Sequence, residues 1–253
     1  MNPEKFCLVT TEAVDHIFLS DREVVENNGG TTLFYRKAVQ VLKETHGEND
    51  IDFIWITPPK KTEVYIYPSQ NYGYGINGST VDPNLFDEAF RDVSESAVII
   101  STTLKTDFDL SLLRNSLDKI KSIFIDVQGF TRDGKKHEPF VFPDWLLQQE
   151  NLIFKVADEE FQYINIDSII TNPRTVVLHT KGECGVTVMH NGTKTDILPT
   201  EVMKVPNERT RGAGDTFFFN FAINYLKSND VINATKQAEQ SVIQFLKGGL
   251  GSG

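Results

Sequence analysis

The sequence RGAGDT (residues 211–216), followed directly by FFFNFAINYL (residues 217–226), is the most informative stretch of the chain. Gly212 and Gly214 allow backbone N–H groups to converge at the amino end of the next helix, where the helix dipole favours an anion. This helix is apolar on nearly every side, so we predict that it lies in the core and holds the turn rigidly. Asp215 then stands beside a predicted phosphate site, although an ordinary helix N-cap uses the same residue type.

Upstream of this stretch, short β-rich runs alternate with helical patterns. The predicted strands cover residues 6–9, 51–56, 97–100, 123–127, 152–156 and 175–179, and the predicted helices cover residues 31–44, 83–93, 111–121 and 143–149. Several strand segments are continuously apolar, as expected for parallel strands buried on both faces. The pattern predicts a three-layer α/β/α fold with a mostly parallel central sheet, in which ligands bind beyond the carboxyl ends of the strands.

Two segments interrupt this alternation and show β-like periodicity of their own. They are residues 13–26 and residues 62–67, and the second leads into the glycine-rich sequence YGYGING (residues 72–78), for which we predict a loop. Together they predict a small β lid, with lid segments near 13–26 and 62–78. Because no Ser- or Pro-rich linker divides the chain, we expect residues 1–253 to form a single domain.

The overall charge argues against polyanionic partners. With 25 Lys and Arg against 35 Asp and Glu, the formal net charge is −10, so the protein's field repels nucleic acid and anionic membranes. No apolar run approaches the ~18 residues that a membrane-spanning helix needs, and the first residues lack the apolar core of a signal peptide. Cys7 and Cys184 indicate neither a disulfide framework nor a zinc site. We expect a cytoplasmic protein in which any phosphate site is local.

Four motifs carry a resemblance to a known family. GAGDTF (residues 212–217) before a buried helix closely resembles the signature of the ribokinase-like, or PfkB, carbohydrate kinases. TKGECG (residues 180–185) is similar to that family's T-x-G-x-x-G nucleotide loop, and NGGTTLFY (residues 28–35) is similar to its N-terminal substrate motif. DVQGFTR (residues 126–132) resembles a segment of the inositol-kinase-like branch. The resemblance implies a ribokinase-like fold and an ATP-dependent kinase that transfers the γ-phosphoryl group to a hydroxyl of a sugar, cyclitol or nucleoside.

The resemblance implies an acceptor site beneath the lid. Its residues would be Asp15, Asn28, Gly29, Gly30 and Asp126. Each has a plain structural alternative, because Asp15 suits a turn, the paired glycines suit a loop before a helix, and Asp126 suits a strand end satisfied by the adjoining loop.

The resemblance also implies a donor site, with Asp215 as the base that accepts the proton of the attacking hydroxyl. Gly212, Ala213 and Gly214 would lie over the phosphates, and Thr180, Gly182 and Gly185 would lie along the adenine and ribose. Residues 180–185 are equally a hairpin turn between two strands.

Mg²⁺ is expected to enter with ATP, because Mg²⁺ binds through phosphates plus one or two carboxylates and the five histidines show no paired metal-ligand spacing. Glu160 is the protein residue implied near that ion. It lies in KVADEEF (residues 155–161), which is similar to the family's N-x-x-E segment except that Ala157 replaces the usual Asn. A solvated acidic helix start is the alternative.

The chain also departs from the family pattern. Residues 209–211 read RTR where the family usually carries D-T-T, and Phe34 stands where many sugar kinases carry Asn. Arg211 is therefore predicted to lie near the phosphates and to make activity independent of K⁺, since its fixed positive charge repels a monovalent cation. The alternative is a binding or regulatory protein of the same fold with weakened catalysis. An exposed lid edge at residues 13–26 favours pairing with a second copy of the chain.

Overall fold

The structure, a computed structural model, describes residues 5–20, 23–46, 51–67, 72–91, 96–206 and 210–248. Its strands are β1 Lys5–Thr10, β2 Ala13–Ser20, β3 Glu23–Gly29, β4 Asp52–Ile56, β5 Thr62–Tyr67, β6 Tyr72–Ile76, β7 Ser96–Ser101, β8 Ile120–Asp126, β9 Arg132–Asp133, β10 Lys136–His137, β11 Leu152–Ala157, β12 Val176–Thr180, β13 Val186–His190 and β14 Thr193–Ile197. Its α-helices are α1 Thr31–His46, α2 Pro83–Ala89, α3 Gln128–Thr131, α4 Asp144–Leu147, α5 Asp158–Phe161, α6 Ile166–Ile169, α7 Ala213–Ser228 and α8 Val231–Gly248. Two 3₁₀ helices, η1 Leu110–Lys119 and η2 Gly182–Cys184, complete the elements described.

The main sheet has eight strands in the order β14-β13-β12-β11-β8-β7-β1-β4. The strands from β12 to β4 run parallel, whereas β13 and β14 extend the sheet antiparallel at one edge. The predicted mostly parallel central sheet is therefore confirmed. The carboxyl ends of β7, β8, β11 and β12 consequently meet at one edge of the sheet, where a ligand site is expected.

Helices cover both faces of this sheet. Successive residues of β8 point to opposite sides, so Phe124 packs with α1, α7 and α8, and Ile125 packs with α2 and η1. Helix α7 is the most buried helix of the first group, with Phe218, Phe219 and Phe221 completely inaccessible to solvent. Its predicted core position is confirmed, and this burial fixes the direction in which its first turn points.

A second, four-stranded sheet has the order β3-β2-β5-β6. Strands β2 and β5 pair in parallel, and the outer pairs are antiparallel. The predicted subsidiary sheet is confirmed. The loop predicted for residues 72–78 is wrong over its first five residues, because β6 pairs with β5 there and Tyr74 stacks on Tyr65 with ring centroids 5.2 Å apart.

Three predicted helices differ from the observed elements. The helix predicted at 83–93 ends at Ala89, and residues 92–93 lie outside the described part of the chain. The helix predicted at 111–121 is observed as the 3₁₀ helix η1, which ends at Lys119 because β8 begins at Ile120. The helix predicted at 143–149 is a single turn. No helix among the described residues has the length and apolar character needed to cross a membrane.

Candidate active site

Helix α7 begins in a turn built on Gly212. This residue adopts φ = +81°, and its carbonyl oxygen accepts a hydrogen bond from the N–H of Thr216 at 2.8 Å. The first N–H groups of a helix have no partner within the helix, so this turn presents donors to an anion. A side chain at position 212 would overlap the ring of Phe34 from α1. Glycine is therefore required both by the backbone conformation and by the close approach of α1.

Asp215 lies in the first turn of α7, beside the carboxyl end of β7. Its Oδ1 atom is 3.3 Å from the hydroxyl oxygen of Ser101, the last residue of that strand. The same hydroxyl is 3.4 Å from Oδ2 of Asp126, so it donates to one carboxylate at a time. Burial raises the pKa of Asp215 to about 7, against the opposing effect of the Lys155 ammonium. A carboxylate with this pKa is suited to proton transfer near neutral pH.

Asp126 ends β8 and pairs with Lys155 of β11. The two residues are in register across the parallel strands, and the Lys155 Nζ lies 2.7 Å from Asp126 Oδ2. Lys155 is 4% exposed and Asp126 is 2% exposed. The other carboxylate oxygen of Asp126 accepts the Gln128 N–H at 3.2 Å. One oxygen of the Asp126 carboxylate is therefore bound by the adjoining loop and the other by a lysine on the neighbouring strand.

Lys155 is a buried charged residue of this cluster that the sequence analysis does not select as a candidate. It entered that analysis only as the first residue of the segment around Glu160. A usable signal was present, because a single lysine interrupts the apolar strand sequence LIFKVA, and lysine is rarely buried without a charged partner. What the sequence does not reveal is the register that sets Lys155 opposite Asp126.

Glu160 is completely buried in the short helix α5. Its Oε2 accepts the N–H of Ala157 at 2.8 Å, whereas its Oε1 has no hydrogen-bond partner among the described residues. Burial raises its pKa to about 7, and the Lys155 ammonium opposes that rise. The solvated alternative is wrong for this side chain. No group of three or more His, Cys, Asp or Glu residues in the described ranges is arranged to hold a metal ion.

Asp15 and Arg211 form an ion pair between the second sheet and the residue preceding Gly212. The Arg211 guanidinium donates to Oδ2 of Asp15, which is 2% exposed. A side chain at Gly29 would overlap the Asp15 carboxylate, so Asp15 lies directly on the Gly29 backbone. Burial raises the pKa of Asp15, and the guanidinium offsets part of that rise. Asp15 and Gly29, predicted together, do lie together, and Arg211 contacts Asp15, one of the residues predicted for the acceptor.

The other residues predicted for this part of the site are Asn28, Gly30 and Arg209. Gly30 adopts φ = +82°, and a side chain there would overlap the carbonyl oxygen of Thr11. Asn28 is exposed near the end of β3. Arg209, which was predicted with Arg211, lies outside the described residues.

The segment 180–185 joins β12 to β13 at the same edge of the sheet. Thr180 ends β12, and its hydroxyl donates a long hydrogen bond of 3.5 Å to the Val156 carbonyl oxygen. Gly185 adopts φ = +84°, and a side chain there would overlap the Ile197 carbonyl oxygen. Gly182 adopts φ = +55°, and no atom of the described residues, apart from its own and those of its chain neighbours, lies within 4 Å of the position that a Cβ would occupy there. The hairpin is confirmed, and of its two glycines only Gly185 is required by close packing.

Comparison with known proteins gives a clear result at the level of structure alone. No family model and no curated protein sequence matches the chain. A ribokinase-family, pyrophosphate-dependent kinase complexed with a pyrophosphate analogue and myo-inositol matches at 18% identity and a TM-score of 0.67, over 96% of this chain and 94% of that one. A fructokinase from Vibrio cholerae O395 matches at 12% identity and a TM-score of 0.61, over 97% and 99% of the two chains.

A mutant of phosphofructokinase-2 from Escherichia coli also matches, at 12% identity and a TM-score of 0.59, over 96% of this chain and 99% of that one. At such low identities, these matches establish the fold and not the activity. The fold predicted from the four sequence motifs is confirmed.

Proposed function

Since the chain has the ribokinase-type fold, we propose that it is a phosphotransferase that moves a phosphoryl group onto a hydroxyl of a sugar or cyclitol. The observation that carries this proposal is the position of Asp215. Its carboxylate lies in the first turn of a helix whose first N–H groups are suited to bind an anion, and burial raises its pKa to about 7. A base and an anion site side by side are what in-line phosphoryl transfer requires.

Each part of the turn has a role in this proposal. Asp215 accepts the proton of the attacking hydroxyl as that oxygen bonds to phosphorus. The bond from phosphorus to the bridging oxygen of the donor breaks in the same step, and ADP leaves from ATP or phosphate leaves from pyrophosphate. Gly212, Ala213 and Gly214 lie over the transferring phosphoryl group, and their N–H groups and the helix dipole stabilise its negative charge. Because α7 is buried, these donors are held in place before the reaction and need no rearrangement.

The proposed acceptor site lies on the side of Asp15. Asp15, Asn28, Gly29 and Gly30 bind hydroxyl groups there, and Asp126 orients the neighbouring residues through its own contacts. The ion pair between Asp15 and Arg211 supports a site between the second sheet and the turn of α7. Because this ion pair connects the second sheet to the turn of α7, we infer that residues 1–253 form a single kinase domain in which the second sheet is the lid. A polyol acceptor is consistent with the myo-inositol bound to the pyrophosphate-dependent kinase of the same fold.

The proposed donor is ATP, bound along Thr180, Gly182 and Gly185. Mg²⁺ would enter with the nucleotide and neutralise phosphate charge when bound. Glu160 fits a place near such a hydrated cation, because its buried Oε1 has no partner among the described residues. Pyrophosphate is the second candidate donor. It is favoured by the pyrophosphate dependence of a kinase with this fold.

A donor and acceptor screen tests the proposal. ATP and pyrophosphate, each with Mg²⁺, are combined with myo-inositol, fructose and a nucleoside, and phosphorylated product is detected by ³¹P NMR. Acceptor-dependent product that disappears in Asp215→Asn supports the proposal, and the donor that yields it decides between the two candidates. Binding of donor and acceptor without turnover would instead favour a regulatory binding protein. The absence of both binding and turnover would contradict the proposal.

A further inference from the structure

We propose that Lys155 is a positioning residue of this site, whose buried ammonium holds Asp126 in place and keeps Asp215 ready to accept a proton. The catalytic part of this inference rests on the proposed phosphotransferase function. Its effect on the buried carboxylates does not, because that effect can be measured without turnover.

The first support is the set of charges around the lysine. Lys155 faces carboxylates on three separate elements, namely Asp126 on β8, Glu160 on α5 and Asp215 on α7. Burial alone would lower the pKa of Lys155, but these carboxylates more than compensate and raise it. The ammonium therefore stays charged throughout the physiological pH range, and its positive charge attracts all three carboxylates.

The second support is the surroundings of Asp215. The groups that face it are Tyr35 on α1, Ser101 on β7, Asp126 on β8, Arg132 on β9 and Lys155 on β11. Asp126 raises the pKa of Asp215, whereas Lys155 and, more weakly, Arg132 lower it. Lys155 is therefore the main counter-charge that opposes protonation of Asp215.

The third support is the contact of Lys155 with the turn of α7. A Cβ atom added to Gly214 would lie 3.2 Å from the Lys155 Nζ and 3.3 Å from its Cε. The ammonium thus packs against the residue that directly precedes Asp215. Gly214 leaves room for the lysine as well as for a phosphate, and the positive charge of Lys155 adds to that of the helix amino end.

A purely structural role is the competing explanation, in which the pair with Asp126 only fixes the register of β8 and β11. The two explanations differ in pH dependence. If Lys155 only fixes the strands, its removal lowers stability and rate without moving the pH at which Asp215 titrates. If Lys155 instead positions Asp215 and favours its ionised form, removal of Lys155 raises the pKa of Asp215. A nearby opposite charge, within ~4–6 Å, lowers the pKa of a carboxyl group by about 1–3.

The test compares Lys155→Met with Lys105→Met. Lys105 is the control, because its ammonium pairs with the carboxylates of Asp133 and Glu138, each at 2.6 Å, and it is not among the charges that act on Asp215. With the donor and acceptor identified by the screen, we expect the acid limb of the kcat profile of Lys155→Met to move up by about one pH unit or more. Lys105→Met should keep the wild-type midpoint. A loss of rate with an unchanged midpoint in Lys155→Met would overturn the inference.

Urea unfolding between pH 5 and pH 9 provides the readout that needs no turnover. A carboxyl group whose pKa is higher in the folded protein makes stability fall as pH rises from its unfolded pKa to its folded pKa. In Lys155→Met, stability should continue to fall at pH values above the range in which wild-type stability falls. In Lys105→Met, the pH range of the fall should match that of wild type. Parallel curves for Lys155→Met and wild type would overturn the inference, whether or not any phosphotransfer is found.

A milder variant covers the case in which Lys155→Met does not fold. Gly214→Ala keeps the lysine but places a methyl group 3.2 Å from its Nζ, so the ammonium must shift away. The pH window of stability loss should then move upward by less than about one unit. An unchanged window in folded Gly214→Ala would contradict the inference.

Discussion

The guanidinium of Arg211 donates to the carboxylate of Asp15, which links the residue preceding the turn of α7 to strand β2 of the second sheet. The two residues are 196 positions apart in the chain. Asp15 is predicted to bind the acceptor, and Arg211 is predicted to lie near the phosphates of the donor. The ion pair therefore connects the two predicted binding sites. Binding of acceptor and binding of donor are therefore expected to influence each other through this contact.

Replacing Arg211 with Ala should weaken acceptor binding more than donor binding. The change leaves the Asp15 carboxylate buried without its partner, so its pKa rises further and a larger fraction is protonated at neutral pH. We expect KM for the acceptor to rise about tenfold, which corresponds to ~1.4 kcal/mol, with little change in KM for the donor. Steady-state kinetics at pH 7 measure both constants. Arg36→Ala, which removes an exposed pair with Glu12, is the control, and equal effects of the two variants would contradict the prediction.

Catalysis should not depend on K⁺. Arg211 directly precedes the turn of α7, and its guanidinium, which is permanently charged and bound to Asp15, disfavours a monovalent cation nearby. Rates are compared in the chloride salts of K⁺, Na⁺ and tetramethylammonium at matched ionic strength. Equal rates are expected in all three salts, and a many-fold stimulation by K⁺ would show that the prediction is wrong.

Two glycines of the β12–β13 hairpin should respond differently to the same substitution. Both have positive φ, which strains an alanine. Gly185 combines φ = +84° with ψ = −144°, a region that only glycine adopts readily, and only Gly185 meets an overlapping backbone atom. Gly185→Ala should therefore lose clearly more unfolding free energy than Gly182→Ala, as measured in urea. If Gly182→Ala remains stable yet loses affinity for ATP by calorimetry, the loop contacts the nucleotide. Equal losses of stability would contradict the packing argument.

Asp215→Asn should change the pH dependence of stability. The pKa of Asp215 is raised to about 7 in the folded protein, so ionising it there is unfavourable and lowers stability at pH above 7. The asparagine variant avoids that ionisation. It should be at least as stable as wild type at pH 8, and its advantage should diminish as pH falls through 7 and vanish below about pH 4. Urea titrations at pH 4 and pH 8 measure this, and a variant that is less stable only at pH 8 would contradict it.

Much of the fold follows from local sequence patterns. The apolar runs that form β1, β7, β8 and β11 are recognisable because both of their faces are buried, so no solvent-exposed residues interrupt them. The glycine turn before α7 is equally local. The sequence patterns do not indicate helix α8, and they predict a loop at β6 because glycine is uncommon in strands and this strand depends on pairing with β5.

The site was harder to predict because its contacts join distant segments. Phe34 excludes a side chain at Gly212, Lys155 faces Asp126, and Arg211 binds Asp15, yet no spacing in the sequence relates the members of any of these pairs. Motif resemblance located Asp15, Asp126 and Asp215 individually. Only the packing of α1, β11 and the second sheet around α7 shows which charges neutralise one another.

The proposed role of Asp215 as the proton acceptor in phosphoryl transfer is tested by the kcat of Asp215→Asn. The substitution keeps the side-chain volume and removes the base, and general-base catalysis contributes ~10²- to 10⁴-fold. We predict a loss of kcat in that range, with donor affinity by calorimetry close to that of wild type and a urea unfolding transition at pH 8 at no lower urea concentration than that of wild type. A folded Asp215→Asn protein that retained wild-type kcat with a verified acceptor would contradict the account.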